Sequence, residues 1–146
     1  MVVIGEKAPD FEAPDHSGAA FRSSSLRGSP VVLYFYPKAD TPGCTIESKG
    51  FRDVYAEYQA KNVKIVGVST DDCAEQQAFR TKYGFPFPLI ADSEKKVATM
   101  YGVLGPSGHA RRVTFLIDPA GKVVDVIDAS SPDAHLKRAA AAFLAK

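Results

Sequence analysis

The stretch Val31-Val32-Leu33-Tyr34-Phe35-Tyr36-Pro37-Lys38-Ala39-Asp40-Thr41-Pro42-Gly43-Cys44-Thr45-Ile46-Glu47 changes character twice. Its first six residues are apolar or aromatic in succession and end at a proline. Such a run reads as a strand covered on both faces, as central strands of α/β sheets are. Thr41 then stands as an N-cap, with Pro42 at the first helical position, where its missing N–H loses nothing. Cys44 therefore falls in the first turn of a helix just past the carboxyl end of a buried strand, the place where open α/β sheets hold ligands. Unpaired backbone N–H groups and the helix dipole favour an anion there, and so the nucleophilic thiolate over the thiol. The Thr41 hydroxyl can turn either to the helix N–H groups or to a substrate oxygen beside the sulfur.

Working outward, Phe51, Val54, Tyr55 and Tyr58 recur at helical spacing and predict one helix with an apolar face. Val63 to Ser69 is the next strand, expected to lie parallel to the first. Asp72 and Glu75 open a helix with a capping-box pattern, and Cys73 sits at its start. Two prolines keep 85–90 extended. Asp92 to Tyr101 reads as a short helix ended by Gly102. Val113–Asp118 and Lys122–Asp128 form an antiparallel hairpin around Asp118-Pro-Ala-Gly121. A last helix enters through Ser131-Pro132-Asp133 and lines up Leu136, Ala139, Ala140, Phe143 and Leu144. Upstream, Phe11 to Phe21 resembles an N-terminal hairpin turning at 14–18. A strand–helix–strand unit requires a parallel pair with a right-handed crossover, and the later hairpin adds antiparallel strands. The expected architecture is α/β: a mixed central β-sheet flanked by helices, of the thioredoxin-like type.

The composition agrees with one globular domain over residues 1–146. The chain is 45% hydrophobic and 24% charged with a net charge of +1, which suggests neither a nucleic-acid partner nor a basic membrane patch. No apolar run approaches the roughly 18 residues of a membrane span, and no basic leader precedes an apolar signal stretch, so the expected compartment is the cytoplasm. There a cysteine is more often a working thiol than half of a permanent bridge. A domain of this length does not need its two cysteines as staples.

Pro37-x-x-x-Thr41-x-x-Cys44 resembles the active-site motif of peroxiredoxins. Tyr34-Phe-Tyr-Pro-Lys and Thr41-Pro-Gly-Cys-Thr resemble the PrxQ type, also called bacterioferritin comigratory protein. The likeness continues through Gly5–Phe11, Leu26–Gly28, Gly67–Asp71, Phe87–Asp92, Tyr101–Val103 and Arg112–Asp118. It implies reduction of hydrogen peroxide and organic hydroperoxides by Cys44, which becomes a sulfenic acid. It also implies that Thr41 orients the peroxide, Pro37 shields the sulfenic acid, Arg112 holds the thiolate and the developing charge, and Glu47 helps fix that arginine. Oxygen–oxygen cleavage puts charge on the leaving oxygen, so preorganised donors and a permanent guanidinium suit the chemistry. No cofactor or metal is required by it.

Relatives of this type commonly regenerate the thiol with a second cysteine, five residues after the first or midway along the next helix. Those places hold Lys49 and Arg80 here. Three readings of Cys73 follow: it resolves Cys44 within the chain, an external thiol such as thioredoxin, glutaredoxin or a small thiol reduces Cys44 directly, or Cys73 is a bystander. A monomer is expected, with a dimer as the alternative. The functional rival is a non-turnover redox sensor or chaperone-like interaction protein using the same cysteine.

Other residues have plainer readings. His16, His109 and His135 lack metal-ligand spacing and are expected to be solvated. Arg111-Arg112, taken without the resemblance, is an exposed basic pair. Tyr34 and Tyr36 share one strand face and belong first to the core. Gly50 inside a helix signals a kink or close packing.

Overall fold

The computed structural model describes residues 1–145. Two short strands, β1 (Glu12–Pro14) and β2 (Ala20–Arg22), pair as the expected N-terminal hairpin. The main chain of events then runs β3 (Val31–Phe35), α1 (Pro42–Asp53), α2 (Tyr55–Ala60), β4 (Lys64–Ser69), α3 (Cys73–Tyr83), β5 (Leu89–Ala91), α4 (Lys96–Tyr101), β6 (Val113–Ile117), β7 (Val123–Asp128) and α5 (Pro132–Phe143). The five-stranded sheet has the order β5-β4-β3-β6-β7. β3, β4 and β5 are parallel to one another, while β6 runs antiparallel to β3 and to β7.

Every residue of β3 is buried, and strand alternation divides them between two cores. Val31, Leu33 and Phe35 pack with Phe11, Val97, Tyr101 and Phe115, so the hairpin and α4 cover that face. Val32, Tyr34 and Tyr36 pack with Cys44, Phe51, Tyr58, Phe79 and Ala139, so α1, α2, α3 and α5 cover the other. Cys44 thus belongs to an aromatic core layer. None of the described helices is long and apolar enough to cross a membrane.

Three boundaries differ from the sequence reading. The helix expected to run through Tyr58 is broken at Val54 (φ −112°, ψ 10°); its apolar stripe stays on one side, with Phe51 and Tyr58 buried, so the periodicity reports the face but not the break. The helix expected from Asp92 starts only at Lys96, because Asp92 caps it from outside: its carboxylate accepts the Val97 and Ala98 N–H groups at 3.0 and 2.8 Å. Of the extended segment 85–90, only its end enters the sheet, as β5. Gly50 marks close packing: a Cβ there would lie 2.4 Å from Cδ1 of Leu136, so its absence lets α5 approach α1.

Candidate active site

The link between β3 and α1 is held by the loop that follows the neighbouring strand. Asp71, buried just beyond β4, accepts the Ala39 N–H at 2.7 Å and the Ser69 hydroxyl at 2.6 Å, and pairs with Lys38 at 3.4 Å. Asp40 takes a left-handed conformation (φ 60°), and its carboxylate is held from the far end of α3 by Lys82 and by the Tyr83 hydroxyl, each at 2.7 Å. Thr41 is the N-cap by position, but its hydroxyl does not cap. It donates to the Lys38 carbonyl at 2.7 Å, while the Thr41 carbonyl accepts the first helical bond from Thr45 at 2.9 Å. The helix N–H groups around Cys44 are therefore not taken by that side chain.

Cys44 is fully buried. The guanidinium of Arg112, which immediately precedes β6, reaches it: Nη2 donates to Sγ at 3.4 Å and Nη1 to Glu47 Oε1 at 2.7 Å. The Arg112 side chain is 12% exposed and Glu47 is wholly buried. Gly43 makes this approach possible, because a Cβ there would lie 2.8 Å from Arg112 Nη2. Arg111 points away and pairs with Asp128 at the end of β7. Pro37 and Arg112 line one side of a cleft of about 360 Å³, with Arg111, Asp128, Ala129 and Ser130 around the rest.

Burial pushes the Glu47 carboxyl up to about 7, against the pull of Arg112, which favours the carboxylate. For Arg112, burial opposes the charge, but Glu47 and Cys44 outweigh it, and the guanidinium stays protonated. Tyr34 and Tyr36 line the sulfur's layer and are neutral phenols, pushed well above the ordinary tyrosine value by burial. Tyr34 shares a hydrogen bond with Ser48 at 2.9 Å, and Tyr36 donates to Gln76 at 2.6 Å.

Cys73 is half-buried at the first position of α3, under a complete capping box: the Asp72 carboxylate accepts the Glu75 N–H, and the Glu75 carboxylate accepts the Asp72 N–H. The two cysteines follow adjacent parallel strands, whose pairing runs to Phe35 opposite Val68. Lys49 and Arg80 have other contacts, Lys49 over the Tyr83 ring at 5.7 Å and Arg80 on the Phe87 carbonyl at 3.1 Å.

One expectation fails outright. His135 is not solvated but completely buried, with Nε2 on the Ala129 carbonyl and Nδ1 on the Thr114 hydroxyl, both at 2.7 Å. Its Nδ1 also lies 3.6 Å from Glu47 Oε2. The signal was its spacing of four from Ala139 and eight from Phe143, which puts it on the inner face of α5. His109 is exposed as expected; His16 is half-buried, and its Nδ1 accepts the Leu89 N–H at 3.3 Å. Asp71, Gln76 and Thr114 are buried polar residues that no local pattern marks, because only the assembled sheet covers them.

A profile of the AhpC/TSA family matches residues 4–126. The putative peroxiredoxin bcp of Coxiella burnetii is 38% identical over 142 residues, which span 92% of this chain and 94% of that one. The chloroplastic peroxiredoxin Q of Triticum aestivum is 37% identical over 137 residues, 90% of this chain and 62% of that longer one. Among solved structures, peroxidoxin BcpB of Mycobacterium tuberculosis superposes with a TM-score of 0.93 at 41% identity, covering 99% of this chain and 98% of that one. The bacterioferritin comigratory protein of Xanthomonas campestris, described for alkyl peroxide reduction, superposes at 0.89 with 29% identity over 99% and 98% of the two chains. Likeness at this level over nearly the whole length leaves one placement: the chain belongs to the AhpC/TSA family, as a thiol peroxidase of the peroxiredoxin bcp and peroxiredoxin Q type with a thioredoxin-like fold.

Proposed function

We propose that Cys44 is the thiol that reduces hydrogen peroxide and organic hydroperoxides. The thiolate attacks the distal oxygen of RO–OH; the sulfur–oxygen bond forms as the oxygen–oxygen bond breaks, leaving Cys44 as a sulfenic acid and RO⁻, which takes up a proton to leave as ROH. The observation that carries this reading is the Arg112 guanidinium, 3.4 Å from Sγ and anchored at its other nitrogen by buried Glu47. A fixed positive charge there stabilises the thiolate before the reaction and the leaving oxygen during it. Glu47 sets the angle of that guanidinium. Thr41, whose hydroxyl proton is committed to Lys38, keeps its oxygen lone pairs free to accept the peroxide O–H and orient it. Pro37 stands at the cleft beside Arg112 and shields the sulfenic acid. The cycle needs no metal or organic cofactor.

Regeneration runs either through Cys73 or directly through thioredoxin, glutaredoxin or a small thiol. Disulfide formation requires Cα atoms within about 7 Å, so the Cys73 route would proceed through opening of the first turns of α1 and α3. We take the working protein to be a single-domain, cytoplasmic monomer. Mass spectrometry after one equivalent of peroxide tests the scheme. A Cys44–Cys73 disulfide in the wild type, replaced by a sulfenic acid on Cys44 in Cys73→Ser, supports internal resolution; a sulfenic acid unchanged by that substitution supports an external thiol. Peroxide consumption with excess dithiol that stops after one equivalent would overturn the catalytic cycle itself.

A further inference from the structure

The Glu47 side chain has two oxygens in different circumstances. Oε1 accepts from Arg112, whereas Oε2 is buried without any hydrogen-bond partner. A carboxylate oxygen stranded in this way is expensive, and native structures rarely tolerate one. His135 Nδ1 lies 3.6 Å from Oε2, just beyond hydrogen-bond range.

The tautomer of His135 follows from its other contact. The Ala129 carbonyl can only accept, so Nε2 carries the ring proton, and Nδ1 of a neutral ring has a lone pair. The Thr114 hydroxyl at 2.7 Å tolerates both states of Nδ1, since it can donate to a lone pair or accept from an N–H. One added proton, on Oε2 or on Nδ1, therefore satisfies the stranded oxygen.

We propose that Glu47 and His135 hold one proton between them, which leaves Arg112 un-neutralised beside the Cys44 sulfur and makes His135 a positioning residue of the peroxidatic centre. The proposal rests on Cys44 being the reacting thiol. The charge count favours it: with the proton present, the pair is neutral and Arg112 balances a thiolate, whereas without it two anions face one buried cation. The other charged or titratable groups facing the pair are Tyr34 from β3, Asp128 from the end of β7 and Arg138 from α5. Burial holds His135 below the ordinary histidine value and Arg112 and Arg138 push the same way, while burial raises Glu47, so the environment disfavours a separate carboxylate and imidazolium.

The test is the rate of Cys44 labelling by iodoacetamide from pH 5 to 9 in a Cys73→Ser background, which reads the thiolate whether or not the protein turns over peroxide. His135→Asn keeps a polar group near Oε2 and Thr114 but cannot take up the proton. It is expected to label about threefold more slowly near pH 7.5, where only the pair keeps the proton, and within 1.5-fold of its parent at pH 5, where buried Glu47 holds the proton alone, and at pH 9, where the parent has lost it too. In a Glu47→Gln background the same His135→Asn change should leave the pH 7.5 rate unchanged, because no proton is left to hold. No loss at pH 7.5, an equal loss at all three pH values, or an undiminished loss in the Glu47→Gln background would overturn the proposal. Should His135→Asn not fold, the His135 Nδ1 shift of the unmutated protein and of Glu47→Gln from pH 5 to 9 decides: a shift that titrates in the first and not in the second supports the proposal, and one that behaves alike in both overturns it. If labelling behaves as expected while peroxide is not consumed, the shared proton stands and the peroxidase reading of Cys44 falls.

Discussion

Replacing Glu47 by Gln should change how the stability of the fold depends on pH, and by an amount the burial of that residue sets. The Glu47 carboxyl sits at about 7 in the folded chain against 4.5 for an exposed glutamate. A group raised on folding contributes fully below its unfolded value, and its contribution is lost as pH climbs to the folded one. At about 1.4 kcal/mol per pH unit, the protein with Glu47 should lose about 3 kcal/mol relative to Glu47→Gln between pH 4.5 and pH 7, with no further divergence above. His135 contributes with the opposite sign: lowered on folding, it weakens the fold as pH falls below 6.5. Because His135 Nδ1 faces Glu47 Oε2 at 3.6 Å, Glu47→Gln alters that titration as well, so the two proteins are compared in a His135→Asn background, where Glu47 alone titrates in their difference. Urea unfolding of the two reduced proteins at several pH values, extrapolated linearly to water, measures the quantity. A constant offset between the two curves from pH 4.5 to 8, whatever its size, would refute the reasoning, since the Glu47 carboxyl would then titrate alike in both states.

Asp71→Ala removes the acceptor for the Ala39 N–H and the Ser69 hydroxyl; a loss of about 2–3 kcal/mol in urea unfolding is expected, with a severalfold slower single-turnover reaction of Cys44 with peroxide as the 37–41 loop loosens. Gly50→Ala should gain about 1 kcal/mol in helix propensity but lose about 1–3 kcal/mol to the clash with Leu136; a double-mutant cycle with Leu136→Ala should show coupling above about 0.5 kcal/mol, and additivity would place the clash elsewhere. Asp72→Ala dismantles the capping box over Cys73, so α3 should lose about 1 kcal/mol and Cys73 should alkylate severalfold faster; an unchanged labelling rate would mean that the first turn of α3 does not limit access to this thiol.

Much of this architecture could be read from local pattern because local chemistry decided it. The run 31–36 had to be a central strand, the Asp72 and Glu75 pair is the observed capping box, and Asp118-Pro-Ala-Gly121 does close a hairpin. Thr41 and Pro42 start α1 where expected. Residue 112 was harder to place, since nothing near it in the chain announces a sulfur. Arg112 meets Cys44 only because β6 lies antiparallel to β3 with Val113 opposite Phe35, which sets the preceding residue beside the start of the helix. The resemblance supplied that residue where spacing alone left an exposed basic pair. His135 escaped both routes. A histidine on an amphipathic helix is ordinarily at the wet margin, and its burial here depends on Gly50 letting α5 close onto α1 and on Thr114 and Ala129 accommodating both ring nitrogens.

The placement of Cys44 within the aromatic layer under α1 links the oxidation state of one sulfur to the folding equilibrium of the whole chain. A sulfur that is packed among Tyr34, Tyr36 and Phe51 cannot gain an oxygen atom, or leave to join another sulfur, without altering the volume and polarity of that layer. Thermodynamic linkage then runs both ways: whatever stability the reduced core loses on oxidation reappears as a shift in the reduction potential of Cys44. The resting fold acts as a spring that favours return to the thiol, and its stiffness can be read by comparing unfolding curves of the reduced and oxidised protein.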